Sequence, residues 1–488
     1  LSNSIEIAGA EVGHPDEVYV GGEWLPASGG RYEIVSPADE KVVAEVGLPG
    51  TDQAEAAVSA AHERGLTSWA RLPVADRVEA VRRFCAAMEE RLPEMGAVWA
   101  VEAGMPVRYS ATLHRFGAVG AWTAALDQAE DALRPERRST PLGDVLVKHE
   151  PAGVVAGIMA YNGPLVTMAT KIIPALLAGC PVIVKAAVES QLIMRLVAEC
   201  AEAAGFPPGT LSILAGDTDV ARALSADPRV DLVSLTGGRV AAQDIIESTR
   251  GRFARTHLEL GGKSPALILP DAPLDKVLRS LVPGATGGTG QVCALLTRVL
   301  VPESRHDEVV DAMTAAWSRL KIGDPLDRGT DIGPLANAAA LARTERAVER
   351  AVAEGGRVVA GGERPPGPGW WFEPAIVTDV QRGSDLARNE VFGPVTAVLT
   401  YTDLDDGIAL ANDTSYGLAA TVYTTDLERG QYCADRITAG SVALNSFGPS
   451  VAAPWGGRKG SGWGREGGPE GIREFAETKQ ILLGPGLS

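Results

Sequence analysis

One cysteine of the five in this chain stands apart by its neighbours. Cys293 lies in the stretch GGTGQVCALLTR (287–298), just after three glycines and just before an apolar run. A cysteine so placed is either a small apolar residue of a core or a nucleophile held open to substrate by a permissive backbone. Glu259, in HLELGGKSPALIL, is one carboxylate inside an apolar stretch followed by paired glycines. Burial there raises its pKa and makes it a candidate base. Asn162, in AYNGPL beyond an apolar run, has an amide that can donate to a developing oxyanion or simply close a turn. Lys185 ends the run PVIVKA, at the carboxyl edge where α/β proteins place ligand contacts, although a solvated lysine reads the same way. Gly237 and Gly238 follow another run, VDLVSLTG, at an expected helix start whose N–H groups and dipole suit a pyrophosphate. A G-x-G-x-x-G fingerprint is absent, and glycine serves steric needs at such turns equally well.

These residues need elements to hold them. Residues 19 to 48 read as short strands, YVGGEW, RYEIVSP and KVVAEVGLPG. A helical pattern follows from a capping Thr51 to about Ala103, its first helix closing near Gly65. Short apolar strands then recur at 153–160, 181–186, 211–216 and 230–237 with helices between most of them, the pattern of a parallel sheet covered on both faces. A second α/β set begins after Glu259 with PALILP, TRVLVP, FEPAIVTDV and VTAVLTYTD, interleaved with helices such as 304–320. The tail EGIREFAETKQILLG reads as a helix end and a strand, apolar enough to need a partner.

Composition sets the context. At 488 residues the chain exceeds one compact core, and 45% apolar with 22% charged residues indicates a globular protein. A formal charge of −17 disfavours nucleic acid or an anionic membrane as partner and leaves a small molecule. Cys85, Cys180, Cys200, Cys293 and Cys433 lack C-x-x-C spacing, so neither a disulfide framework nor a metal site is expected. No secretory pattern opens the chain and no apolar run approaches a membrane span, so a cytoplasmic protein is expected.

Taken in order, AYNGPL, VIVKA, LTGG, LELGGKS, GQVC, NEVFGPV and APWGGRKGSGWGREGG resemble the NAD(P)-dependent aldehyde dehydrogenase superfamily over nearly the whole chain. The resemblance implies that Cys293 is the nucleophile, that Asn162 and the Cys293 N–H hold the oxyanion, and that Glu259 activates the thiol, the hydrolytic water, or both. It places Lys171 and Glu466 as a proton path beside Glu259. On the cofactor side it implies Ile158, Tyr161, Lys185, Gly216, Gly237, Gly238, Leu260, Glu390 and Phe392, with Lys185 at the adenosine ribose and Glu390 at the nicotinamide ribose. NAD is the expected cofactor and NADP is possible. Val188 stands where many NAD-preferring members carry a ribose-binding glutamate, and the basic Arg239 follows Gly238, so weak discrimination between NAD and NADP is expected. No metal is expected.

The fold implied is α/β, with a Rossmann-type cofactor domain (1–130 and 150–261), an α/β catalytic domain (262–455) and a small β bridging element (131–149 and 471–488). In this family the bridging strands pair between subunits, with Arg255, Arg465 and Glu477 tying scaffold to tail, so a homodimer or homotetramer is expected. Gly163, Thr170 and Gly287 stand where several members narrow the substrate tunnel with aromatic rings. A wide tunnel and a bulky apolar aldehyde follow, unless Met168, Phe447 or Trp455 fills the space. Two other readings stay open: a CoA-acylating aldehyde dehydrogenase, and a non-catalytic binding protein on the same fold.

Overall fold

The computed structural model describes residues 4–448 and 450–484. Two large sheets organise it. The first has eight strands in the order 462–463, 255–259, 232–236, 155–158, 182–186, 211–215, 17–20 and 23–26. The five central strands run parallel, and antiparallel strands close both edges. Successive side chains of a strand face opposite ways, so these buried strands feed two cores. Val182 and Val184 pack with Trp69, Phe84, Met88 and Trp99 on one face. Ile183 packs with Ala57, Val220 and Ile245 on the other.

The second sheet has seven strands, ordered 357–360, 375–378, 395–401, 298–302, 265–268, 419–423 and 441–444. It is parallel except at 357–360. It too separates two cores, one containing Leu267 and Leu300, the other Ala266, Val299 and Val301. Apolar runs too short for helices thus became strands buried on both faces.

The strand order creates the place for a site. From the central strand Val155–Ile158 the chain builds outward on one side through 182–186 and 211–215, then crosses to the other side for 232–236 and 255–259. The loops after Val155–Ile158 and Leu232–Thr236 therefore diverge, opening a crevice at the carboxyl edge. One row of paired residues, Leu214, Lys185, Ile158, Leu235 and Leu258, marks that edge. The link 260–264 then runs from the carboxyl end of Arg255–Glu259 to the amino end of Pro265–Ile268, so the two sheets meet at a seam.

Two local expectations change. Thr51 is the first residue of its helix, not the cap. The cap is the extended Gly50, whose N–H donates to the Gln53 side chain at 3.2 Å, while Ser28 N–H donates to the same oxygen at 3.1 Å. A side-chain acceptor inside the first turn has replaced a hydroxyl at its start. The tail strand Ala476–Leu482 finds a partner within its own chain, pairing antiparallel with Gly143–Pro151, which also pairs with Glu136–Thr140. Among the described residues no helix is long and apolar enough to cross a membrane.

Candidate active site

The amino edge of the second sheet supplies one wall of the seam. Helix Leu274–Thr286 ends in Gly287–Gly290, where Gly288, Thr289 and Gly290 all have positive φ, and the chain then reaches Cys293 before entering strand Arg298–Pro302. Gly290 has φ +77, and a Cβ there would lie 2.2 Å from the backbone of Gly393 and Pro394, so only glycine fits. Gln291 pins the loop: its amide oxygen accepts from Tyr161 Oη at 2.9 Å and from Ala336 N–H at 3.1 Å. Cys293 is half-buried, whereas Cys85, Cys180, Cys200 and Cys433 are buried. Burial, then the carboxyl groups of Glu390, Glu259 and Glu466, push its thiol up to about 12.

The carboxyl edge of the first sheet supplies the other wall. Tyr161 and the half-buried Asn162 follow strand Val155–Ile158, with the Tyr161 carbonyl accepting from Trp99 Nε1 at 3.0 Å. Glu259 ends its strand, 5% exposed, and its Oε1 has no hydrogen-bond partner among the described residues. Gly456 lies so close that a Cβ there would fall 2.9 Å from that oxygen. Burial first, and the Glu466 carboxyl second, hold the Glu259 pKa well above the ordinary range, with Lys171 opposing. Lys171 and Glu466 form an ion pair at 2.8 Å with side-chain exposures of 0% and 9%, so this pair is interior. The link between the sheets joins the walls, since a Cβ on Gly262 would lie 2.5 Å from the Cys293 carbonyl oxygen. Cys293, Glu259 and the Lys171–Glu466 pair are thereby brought together.

The residues expected to hold a cofactor lie along the same crevice. Lys185 is buried, which lowers its pKa to about 8 against the pull of Glu189 and Asp217. Ile158 pairs beside it and is 6% exposed. Gly216 N–H donates to the Ala186 carbonyl at 3.1 Å, closing the next loop. Gly237 N–H donates to the Glu259 carbonyl at 3.0 Å, and Leu260 N–H to that of Ser461 at 3.0 Å. Gly238 caps helix Arg239–Arg250 with open space around its α-carbon, which leaves that helix N-terminus approachable. Glu390 accepts from Gly262 N–H at 3.1 Å, and burial raises its carboxyl to about 7. Phe392 meets Tyr161 edge-on at 6.3 Å. Position 188 carries no carboxylate; Glu189 and Asp217 act on Lys185 electrostatically, and Glu189 Oε1 accepts from Asn337 Nδ2 at 2.8 Å. Arg239 is committed elsewhere, bonding Ser415 Oγ at 2.9 Å and the Gly460 carbonyl at 3.2 Å while stacking over Tyr416. Among the described residues no group of three or more His, Cys, Asp or Glu could hold a metal ion.

On the substrate side, Gly163 is buried and Thr170 half-buried. Tyr109, from helix Val107–Thr112, lays its ring 3.3 Å from where a Gly287 Cβ would be and also covers Gly288. An aromatic ring therefore does reach this wall, delivered from a distant helix. Met168 is fully buried in the core. Phe447 packs toward Gly284, and Trp455 exchanges backbone hydrogen bonds with Glu466. Arg255 bonds Glu477 at 2.9 Å within the chain, and Arg465 bonds the carbonyls of Gly464 and Gly457.

A thiol, a carboxyl group and a ligand crevice on one seam match a known protein pattern. The aldehyde dehydrogenase family profile matches residues 24–481. The chain belongs to the aldehyde dehydrogenase family. Geranial dehydrogenase of Castellaniella defragrans is 38% identical over 470 residues, 96% of this chain and 98% of that protein. The 3-succinoylsemialdehyde-pyridine dehydrogenase of a Pseudomonas species is 35% identical over 96% of this chain and 98% of its own. The Mycobacterium tuberculosis aldehyde dehydrogenase complexed with NAD+ superposes with a TM-score of 0.94 at 34% identity, covering 97% of this chain and 99% of that one. A betaine aldehyde dehydrogenase variant from Staphylococcus aureus in complex with NAD+ gives 0.93 at 30% identity over 97% and 98%. The family assignment thus covers both sheets and the seam between them.

Proposed function

We propose that this aldehyde dehydrogenase oxidises a bulky apolar aldehyde to its carboxylic acid with NAD. The observation that carries the reading is the convergence, on one seam, of the half-buried Cys293 with Glu259. Cys293 Sγ attacks the aldehyde carbon, with its thiol proton passing to water or to Glu259. Asn162 Nδ2 and the Cys293 N–H receive the negative charge that develops on the former carbonyl oxygen. NAD, when bound, would supply the acceptor for the hydride that leaves the adduct carbon as that carbon becomes a thioester carbonyl. Lys185, Gly216, Gly237, Gly238 and Glu390 would hold the cofactor, with Ile158, Tyr161, Leu260 and Phe392 lining the crevice. Glu259 then takes a proton from the water that attacks the thioester carbonyl, and the C–S bond breaks to release the acid and restore the thiol. Lys171 and Glu466 carry that proton onward.

Hydrolysis is favoured over acyl transfer to CoA because Glu259 is present to activate water, and catalysis over binding alone because none of Cys293, Glu259 and Asn162 is lost. The small residues at 163 and 170 support a bulky substrate, with Tyr109 bounding the wall beside Gly287, and so does the relative named for geranial. The chain is further proposed to divide into a cofactor unit (1–130 and 150–261), a catalytic unit (262–455) and a bridging unit (131–149 and 471–488). It is also proposed to work as a homo-oligomer in the cytoplasm.

The test is NADH formation across aldehydes from acetaldehyde to a long-chain, a cinnamyl-type and a terpenoid aldehyde, with and without CoA. Each buried methylene adds at best about 0.8 kcal/mol, roughly fourfold in kcat/KM. Rising kcat/KM with size, no CoA requirement and no turnover by Cys293→Ala are expected. NAD should be preferred over NADP by only a small margin, because Val188 puts no carboxylate at that position to repel a 2′-phosphate. Flat or falling kcat/KM with size would sink the substrate class. Product released only as acyl-CoA would sink hydrolysis.

A further inference from the structure

Strand Arg255–Glu259 carries a second titratable side chain on the face that presents Glu259. His257 precedes Glu259 by two positions, so both project the same way. His257 is fully buried, and its Nε2 stands 3.9 Å from Glu259 Oε1. Among the described residues neither atom has a hydrogen-bond partner. Two buried polar atoms facing each other without a protein partner call for an explanation. The ring is also locked: Nδ1 meets Ser234 Oγ at 3.2 Å, Phe475 packs edge-on at 5.9 Å, and a Cβ on Gly464 would lie 2.2 Å from its Cδ2. Gly464 has φ +94, so the backbone bends in a way suited to glycine to admit the imidazole. A movement of about 1 Å by the glutamate side chain brings the pair into hydrogen-bond range.

We propose that His257 is a positioning residue for Glu259: its neutral imidazole, with Nδ1 accepting from the Ser234 hydroxyl, donates Nε2–H to the Glu259 carboxylate and holds it ionised as the base for thioester hydrolysis. This rests on the reading of Glu259 as that base. When Glu259 is protonated the pair inverts, its O–H donating to Nε2 and Nδ1–H to Ser234 Oγ. The charge-assisted bond is the stronger of the two, so the pairing favours the carboxylate. The groups around His257 suit this role. Burial first, and the positive charges of Lys171, Arg255 and Arg465 second, keep the imidazole neutral and therefore a donor with a free choice of tautomer. Glu259 and Glu466 are the acids of the same cluster.

The experiment needs no cofactor. A p-nitrophenyl ester acylates Cys293 directly, giving a burst of nitrophenol, and the steady phase that follows reports deacylation by water. The full chain, His257→Leu, His257→Gln and Glu259→Gln are compared from about pH 5 to 9. Expected is an unchanged burst amplitude in both His257 variants. The acid limb of deacylation should move up by about one pH unit in His257→Leu and return close to wild type in His257→Gln, whose amide restores an N–H donor. A limb in His257→Leu that superimposes on wild type overturns the proposal, as does a His257→Gln limb shifted as far as that of Leu. Wild-type deacylation by Glu259→Gln removes the base itself and overturns the reading beneath it. If the isobutyl group prevents folding under Gly464, His257→Ala gives the same two readings.

Discussion

Cys293 is the proposed nucleophile, and its surroundings hold the thiol in its protonated form. Burial and three nearby carboxyl groups hold it at about 12, so the thiolate is scarce at neutral pH and gains roughly tenfold per pH unit. Alkylation of the cofactor-free enzyme by iodoacetamide, corrected with Cys293→Ala, should therefore climb steadily with no plateau through the range where an ordinary cysteine, with a pKa of about 8.5, levels off. A plateau there would mean that the sulfur is neither desolvated nor set among these carboxyl groups as the structure has it. Cys293, Glu259, Asn162 and Lys185 were legible in the sequence because each carries its own local sign, a reactive type set against glycines or at the end of an apolar run. Tyr109 and Gln291 had no such sign. Tyr109 touches Gly287 across most of two hundred residues of chain, and Gln291 matters through Tyr161 and Ala336. His257 did have one, since a histidine two positions before a buried glutamate on a strand must share its face. Val188 shows what position alone leaves out: Glu189 and Asp217 act electrostatically on Lys185 from neighbouring positions of the fold, which a reading of residue 188 does not register.

Among the elements, the loop between helix Leu274–Thr286 and strand Arg298–Pro302 has little room for change. Gly290 combines a left-handed backbone with contact against the Gly393–Pro394 backbone, and neither wall can retreat without moving the second sheet. Gly290→Ala should cost on the order of 2 kcal/mol or more, read as a lower urea midpoint at unchanged slope. Dehydrogenase turnover should fall further than stability does, because the loop places Cys293. A variant with wild-type midpoint and turnover would show that the loop relaxes freely. Strands buried on both faces were readable as apolar runs, for example Val182–Ala186 and Pro265–Ile268. The hairpin Glu136–Thr140 with Gly143–Pro151 was expected only through the family resemblance, as part of the β bridging element, because the exposed arginines of its first strand give no apolar alternation. Ala419–Tyr423 and Ser441–Leu444 are short, and their parallel pairing comes from the sheet rather than from their own residues.

At the scale of the whole molecule, the seam works because two parallel sheets present opposite ends to it, the carboxyl ends of one and the amino ends of the other, with the 260–264 link between them. The described surface has features that a single chain leaves uncovered. Strand Ala476–Leu482 has a partner along one edge only, with Leu482 51% exposed. Phe253, at φ +58 and two residues before Arg255, which bonds Glu477 of that strand, is 91% exposed. Open strand edges invite pairing with another chain, and large exposed apolar residues near them extend such a patch. A second copy of the chain would cover both, and a stable interface needs about 800 Å² from each partner. Sedimentation at micromolar concentration should give a dimer or a larger even assembly. Phe253→Asp combined with Leu482→Lys should shift it toward monomer, since each introduces a charge that an apolar interface would have to desolvate. The monomeric variant should keep its ester burst, because Cys293 and Glu259 lie on a seam built within one chain. Sedimentation of the unaltered chain as a monomer, or of the double variant as the same assembly, would show that these residues face water.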